Sequence, residues 1–391
     1  MKKLLAMMLA SVLALSMLTA CGSSGDEAEG GDEGGSADSI KLGLLAPLTG
    51  SASVYGQAVL NGAQLAVDEI NEKGEVKIEL VYMDEQADVT AACNAYNKLS
   101  TQENVDAVIG DVTSKPSIAV AELAANEEEP MPMITPTGTE PDITLKGDNV
   151  FRTCYMNPTQ SQIIAKYAAE DLGVKKVAIL TNTSDDYSNG LTDAFVEECE
   201  KLGVEVVAQE NYGADDKDFR SQLTKIQPLE PDAIFVPEYY SKIALIVAQA
   251  RELGYDGIML GGDGWDGVLD VLDADKYSLV NNCYFANHYA STDTSEVIVN
   301  FISNYQDSYN GEMPNAFAGL AYDSVYIMVD AIQRAGTTDK AAVVESLKET
   351  DYHGVTGDIT FDENGDSVKD VSIIKLVDGK AELASKVQME G

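Results

Sequence analysis

At 391 residues the chain is too long for one small core and suggests two to three domains. Its formal net charge of -39, from 65 acidic side chains against 26 Lys and Arg, excludes a nucleic-acid partner, because phosphate binding needs a basic patch. Two histidines, His288 and His353, and no C-x-x-C, GxSxG, HExxH or Walker sequence argue against a catalytic triad, a zinc site or a P-loop. Neither turnover, nor a metal, nor a cofactor is expected.

Lys2 and Lys3 precede an apolar run from Leu4 to Ala20 that stops at Cys21. A basic start and one short apolar stretch read as a secretory signal over residues 1–20. Leu18-Thr19-Ala20-Cys21 resembles a bacterial lipobox, which implies that Cys21 is lipidated and becomes the mature N-terminus. Residues 22–38 alternate Gly, Ser, Asp, Glu and Ala with no large apolar side chain, so with Cys21 they form an anchored, disordered tether. The folded body is expected from Ser39. Cys93, Cys154, Cys199 and Cys283 are widely spaced, and buried thiols are preferred to disulfides for them.

From Ile40 the chain alternates short apolar strands with amphipathic helices. Strands are expected at 40–46, 76–83, 105–110 and 131–134, with helices at 55–73, 89–101 and 116–126 between them. That alternation specifies a mainly parallel sheet covered on both faces. The pattern restarts near Tyr155, with helices at 159–172, 190–202, 219–226 and 242–253. Strands at 176–181, 204–208, 233–236, 257–260 and 283–286 alternate with them. Three helices then follow at 296–309, 317–334 and 340–350, and are expected to return to the first unit. Asn364-Gly365 and Asp378-Gly379 between apolar runs mark closing hairpins, expected to finish the second unit.

In open α/β sheets ligands sit beyond the carboxyl ends of the strands. Four segments lie there. Thr113-Ser114-Lys115-Pro116 offers a helix start, with Ser114 as the cap and amides suited to a carboxylate. Thr135-Pro136-Thr137-Gly138-Thr139 brings hydroxyls and backbone to a rigid turn. Glu238-Tyr239-Tyr240 and Gly261-Gly262-Asp263-Gly264-Trp265-Asp266-Gly267 each pair a carboxylate with an aromatic ring, which suits a cationic group beside an apolar one. The last also matches GxGxxG, but Asp263 and Asp266 would repel a pyrophosphate.

Taken in order, several short stretches resemble the substrate-binding lipoproteins of branched-chain amino acid ABC transporters, within the type I periplasmic binding proteins. They are Gly43-Leu44-Leu45-Ala46-Pro47-Leu48-Thr49-Gly50, Tyr55-Gly56-Gln57, Asn61-Gly62-Ala63, Ile134-Thr135-Pro136 and Asp186-Tyr187-Ser188-Asn189-Gly190. Arg251-Glu252-Leu253-Gly254, Gly261 to Trp265 and Phe361 to Asp366 complete the set. The resemblance implies two doubly wound parallel-sheet lobes joined by a three-segment hinge. The N-terminal lobe would comprise 39–156 plus 287–355, and the C-terminal lobe 157–286 plus 356–391.

It further implies that Ser114, Thr137 (through its backbone) and Thr139 hold the α-carboxylate and α-amine of an amino acid, while Asp263 takes the ammonium. Glu238 is the substitute for Asp263. Tyr187 and Tyr240 come from the second lobe and Tyr55 walls the side-chain pocket. Thr113 stands where some relatives carry a cysteine, Lys115 is unexpected, and the tyrosines suit an aromatic side chain as well as a branched one. The implied partners are an amino acid, most simply Leu, Ile or Val, and the membrane permease, with the protein a lipid-anchored extracytoplasmic monomer. The alternative is a sensor module for amino acids or related small solutes.

Overall fold

The computed structural model describes residues 39–387; the signal, Cys21 and tether readings lie outside the described residues. Five strands, β1 (Ser39–Ala46), β2 (Lys77–Asp84), β3 (Ala107–Ile109), β4 (Met133–Thr135) and β5 (Val150–Arg152), form one sheet in the order β2-β1-β3-β4-β5. All four pairings are parallel, so each strand must be linked to the next by a crossover. The crossovers carry helices α1 (Ser53–Lys73), α2 (Val89–Lys98) and α3 (Ser114–Ala125). The strand expected at 131–134 and the short β5 flank a loop, and β5 was not anticipated because three residues give no periodicity to read.

The second sheet holds β6 (Lys176–Asn182), β7 (Glu205–Tyr212), β8 (Ala233–Phe235), β9 (Ile258–Gly261) and β10 (Cys283–Asn287), all parallel. Helices α4 (Asn157–Glu170), α5 (Asp186–Leu202), α6 (Arg220–Ile226) and α7 (Tyr240–Glu252) cross over it. The next three helices, α8 (Glu296–Ser308), α9 (Ala316–Ala335) and α10 (Lys340–Lys348), return to the first sheet, where α9 lies along α1. They approach so closely that a Cβ on Gly62 would fall 2.0 Å from the Ala318 carbonyl oxygen, so only glycine fits there.

The hairpins divide between two places. β11 (Asp351–Gly354), β12 (Gly357–Phe361) and β13 (Ser367–Val368) make a small antiparallel sheet of their own. Only β14 (Val371–Val377) and β15 (Lys380–Val387) join the second sheet, as antiparallel strands beside β10, giving the order β15-β14-β10-β9-β8-β6-β7. Thus the Asp378-Gly379 turn finishes the second sheet, whereas the Asn364-Gly365 turn does not.

Three segments connect the two halves, and α9 clasps two of them. The Asp323 carboxylate accepts from the Val355 and Thr356 amides at 2.9 and 2.8 Å and from the Thr356 hydroxyl at 2.7 Å. Its neighbour Ser324 shares a 2.8 Å hydroxyl contact with Thr153 in the first connection. The Lys369 ammonium donates to Thr356 at 3.0 Å, and burial pushes it down to about 8. Cys93, Cys154, Cys199 and Cys283 are all free thiols, three of them buried.

Candidate ligand-binding site

The near wall of the site is built at the carboxyl ends of β3 and β4. α3 starts at Ser114, with Thr113 at the N-cap position in extended backbone (φ -95°, ψ 149°) and no side-chain cap bond. Ser114 is therefore not the cap, as the sequence suggested, but the first helical residue. Pro116 sits further inside, and any position in the first turn tolerates it because those amides lack helical acceptors. The loop after β4 is stitched to this one. Thr135 Oγ1 donates to the Asp111 carbonyl and Thr137 Oγ1 to the Val112 carbonyl, each at 2.7 Å. Two hydroxyls are left over, since Thr113 Oγ1 and Thr139 Oγ1 are buried without a hydrogen-bond partner.

The far wall begins where β9 ends. Asp263 opens a single helical turn, Asp263–Trp265, and its amide donates to Gln160 Oε1 at 2.9 Å. One carboxylate oxygen accepts from the Tyr187 hydroxyl at 2.8 Å and the other lies 3.0 Å from His288 Nε2. Gly264 is required here, because an added Cβ would meet the Glu238 carbonyl oxygen at 2.5 Å.

Burial pushes His288 down to about 4, against the pull of the Asp263 hydrogen bond, so the ring is neutral at physiological pH. A carboxylate can only accept, which puts the imidazole proton on Nε2. The ring also stacks on Tyr155, with centroids 4.0 Å apart, and its Nδ1 has no partner. An unfolded histidine takes a proton below about 6.5 while this one resists until about 4. The stability due to His288 is hence full above that window and lost as pH falls through it. His288→Asn, which keeps an N–H donor, is expected to flatten this acid limb by up to about 3 kcal/mol, measured by urea unfolding at pH 4 to 7. An unchanged limb would assign the acid sensitivity to other groups.

Aromatic rings close the sides. Tyr55 stacks on Phe317 of α9 (4.1 Å, 4°) and Tyr187 on Tyr239 (4.9 Å, 13°). The Tyr55 hydroxyl donates to the Gly264 carbonyl at 2.5 Å and the Val54 amide donates to the Tyr240 hydroxyl at 3.2 Å, so the halves touch directly. Between them lies a cavity lined by Tyr55, Val112, Thr113, Ser114, Thr137, Thr139, Tyr187, Tyr239, Asp263, Gly264 and Phe317. Its free volume is about 10 Å³, the room of about one water, so any larger solute enters only if the halves part.

The structure thus brings together Tyr55, Ser114, Thr137, Thr139, Tyr187 and Asp263, and leaves out two expected residues. Tyr240 does not line the cavity. It is the first residue of α7, its ring meets Tyr55 edge-on at 4.8 Å, and its neighbour Tyr239, in extended backbone just before the helix, faces the cavity instead. Glu238 is also elsewhere, and is no substitute for Asp263. Its carboxylate accepts from Tyr212 (2.8 Å), Asn182 (3.0 Å) and the Tyr239 amide (2.9 Å), with Lys242 at 3.6 Å. Phe317 and His288 went unsignalled as site residues, while Thr113 and Tyr239 lay within the segments singled out but were given no role.

A larger recess of about 640 Å³ lies on the other side of the Asp263–Gly267 turn, lined in part by Asp266, Asn287 and Asn315. Its most buried carboxylate is already matched: Asp266 accepts from Asn287 at 3.0 Å, the Ala316 amide at 2.7 Å and the Gly267 amide at 3.1 Å. The small cavity is the one lined by buried hydroxyls without a partner.

Two α/β halves, unpartnered hydroxyls and a helix start on one, a carboxylate on the other, and stacked rings around them define a two-lobed solute-binding protein. The comparisons agree. Residues 39–381 match the model of the family described as periplasmic binding protein, and the chain belongs to that family. It is 32% identical to the Leu/Ile/Val-binding protein BraC3 of Rhizobium johnstonii over 87% of this chain and 92% of that one. It is 27% identical to the leucine-, isoleucine-, valine-, threonine- and alanine-binding protein of Pseudomonas aeruginosa, covering 84% and 87%. Among solved structures, the branched-chain amino acid transporter substrate-binding protein LivJ of Streptococcus pneumoniae, in complex with isoleucine, is 34% identical. It aligns over 90% of this chain and all of that one, with a TM-score of 0.83.

Proposed function

We propose that this protein is the extracytoplasmic solute-binding component of an ABC importer, capturing a branched-chain amino acid by lobe closure and delivering it to the permease. The observation that carries this is the pair of unpartnered hydroxyls, Thr113 Oγ1 and Thr139 Oγ1, facing Asp263 across a cavity walled by aromatic rings. A zwitterion meets both demands: its carboxylate takes hydroxyls and the amides at the start of α3, and its ammonium takes Asp263. Its apolar side chain lies against the rings. The isoleucine in the Streptococcus pneumoniae relative supports this ligand class.

Hydrogen bonds to charged groups are worth about 1.5–3 kcal/mol each. Moving a population from 1:99 to 99:1 closed takes about 5.5 kcal/mol, so three or four such contacts suffice to drive closure. The lobes in this reading are 39–156 plus 287–355 and 157–286 plus 356–391, except that the turn after β12 packs on the first sheet, where the Arg152 amide donates to the Gly365 carbonyl at 3.0 Å. Cys21 is the lipid anchor, the first twenty residues are an export signal, and the protein acts as a monomer without catalysing a reaction.

A thermal-shift screen across the twenty amino acids, followed by calorimetry, tests it. Leu, Ile and Val are expected to raise the melting temperature most, with Phe and Tyr next if the rings yield. A flat response to every amino acid would remove the reading.

A further inference from the structure

Behind the ligand loop, at the carboxyl end of the first sheet, two carboxyl groups are buried together. Glu85 follows β2 and Asp111 follows β3, and both are wholly inaccessible to solvent. They flank the end of β1 from its two sides, the Glu85 amide donating to the Ala46 carbonyl at 3.2 Å and Ile109 pairing with Leu44, close enough for the Asp111 charge to act on Glu85. Glu85 Oε1 and Oε2 and Asp111 Oδ2 have no hydrogen-bond donor, and no Lys or Arg pairs with either group among the described residues. The other Asp111 oxygen accepts from the amide of Val112, the next residue in the loop that lines the cavity.

Two ionised carboxylates in such a place would face each other with neither solvent nor a cation. One proton between them removes the repulsion and converts an orphaned oxygen into a donor. We propose that Glu85 and Asp111 are a proton-sharing positioning pair, in which the Glu85 carboxyl donates to the Asp111 carboxylate and so fixes the Val112–Ser114 loop of the ligand site. Burial raises both groups, Glu85 the further because it also faces the Asp111 charge. The remaining titratable groups near the pair are Asp84, whose charge adds to the repulsion, and the Cys93 thiol of α2, itself raised by burial and by Asp111 and Asp88.

The consequence for binding rests on the proposed function above. An incoming carboxylate at the start of α3 meets one negative charge behind the loop rather than two. When the shared proton leaves at high pH, Asp111 loses its donor, the loop its fixed position, and the ligand's anion a tolerable neighbour.

Three measurements test this, two of them without any ligand. The infrared difference spectrum of wild type minus Glu85→Gln at neutral pH is expected to show a protonated-carboxyl C=O band, and wild type minus Asp111→Asn a shift of that band as the Glu85 carboxyl loses its charged acceptor. Wild-type melting temperature is expected to fall as pH rises, because the folded pair binds a proton that the unfolded carboxyls release. Glu85→Gln, whose amide donates without titrating, matches wild type at acid pH and exceeds it by several degrees at alkaline pH. Calorimetry with isoleucine is expected to show affinity falling from neutral to alkaline pH in both proteins as the ligand's ammonium deprotonates, with wild type falling about tenfold further than Glu85→Gln.

Absence of the band from the wild-type spectrum, which needs no variant to fold, overturns the pair. So does a melting temperature that climbs with added sodium or calcium chloride and is insensitive to them in Glu85→Gln, since a cation would then join the carboxylates. Failure of isoleucine to bind at any pH, with the band present, refutes the proposed function and leaves the pair standing.

Discussion

Asp263→Ala is expected to lower affinity for a branched-chain amino acid by two orders of magnitude or more. Removing one member of a buried, hydrogen-bonded charge pair costs about 2–5 kcal/mol, much of it from the partner left unpaired. Here the cost is compounded, because the Tyr187 hydroxyl and His288 Nε2 lose their acceptor with the carboxylate. Asp263→Asn separates the contributions: it keeps a group of the same shape and removes the charge that attracts an ammonium. The decisive comparison uses a deaminated analogue such as 4-methylpentanoate, which keeps the carboxylate and the apolar tail. Wild type should reject it strongly relative to leucine, and Asp263→Ala should discriminate little between the two. That double-mutant cycle isolates the ammonium–carboxylate term. Equal discrimination by both proteins would place the ammonium elsewhere.

The same geometry explains what could be read from the sequence and what could not. Strand–helix alternation disclosed both sheets, because each apolar run and each helical stripe is a local pattern. The segments that hold Ser114, Thr139 and Asp263 were found by asking which polar residues follow a strand, a question that chain order answers, and the resemblance to the family picked the residues within them. Phe317 could not be found in this way. It lies in the first turn of α9 among Leu320, Ala321 and Ser324, where an apolar side chain reads as core, and only the packing of α9 brings it against Tyr55.

Tyr239 and Tyr240 were confused by a single residue, since side chains on either side of a helix start point in different directions. Here α7 begins at Tyr240 (Tyr239 still extended, φ -93°, ψ 152°), and the second tyrosine turns behind Tyr55. His288 was discounted because it matched no motif. Its partner, Asp263, is 25 residues away, on the adjoining parallel strand's exit, so no spacing rule joins them. Glu238 was weighed as an alternative because its type and position are right; three donors had already claimed it.

Arg152→Ala is expected to damage the fold and the ligand loop together. The Arg152 side chain is wholly buried at the end of β5, with its Nε 2.5 Å from Asp366. One terminal nitrogen donates to the Gly138 carbonyl at 3.0 Å; the other donates to the Pro141 carbonyl at 3.2 Å and to Thr144 Oγ1 at 3.0 Å. The guanidinium therefore braces the backbone between Thr137 and Thr139 against the turn that follows β12. Its removal leaves Asp366 charged and buried beside Thr144 alone, among side-chain donors, and frees the Gly138 carbonyl. Breaking a buried pair in this way costs about 3–5 kcal/mol, which should lower the melting temperature on the order of 10 °C.

Arg152→Lys keeps the charge but not the planar fork, so it cannot serve Asp366 and the two carbonyls at once. It is expected to fold, melt earlier than wild type, and bind isoleucine at least about tenfold more weakly (~1.4 kcal/mol) well below its melting temperature. Asp366→Asn provides the contrast. It removes the charge beneath the guanidinium yet leaves the Gly138 contact in place, so stability should fall while affinity changes little. If Arg152→Lys binds as tightly as wild type, the carbonyl brace is irrelevant to the site, and Thr139 must be held by its own loop through the Thr135 and Thr137 hydroxyls.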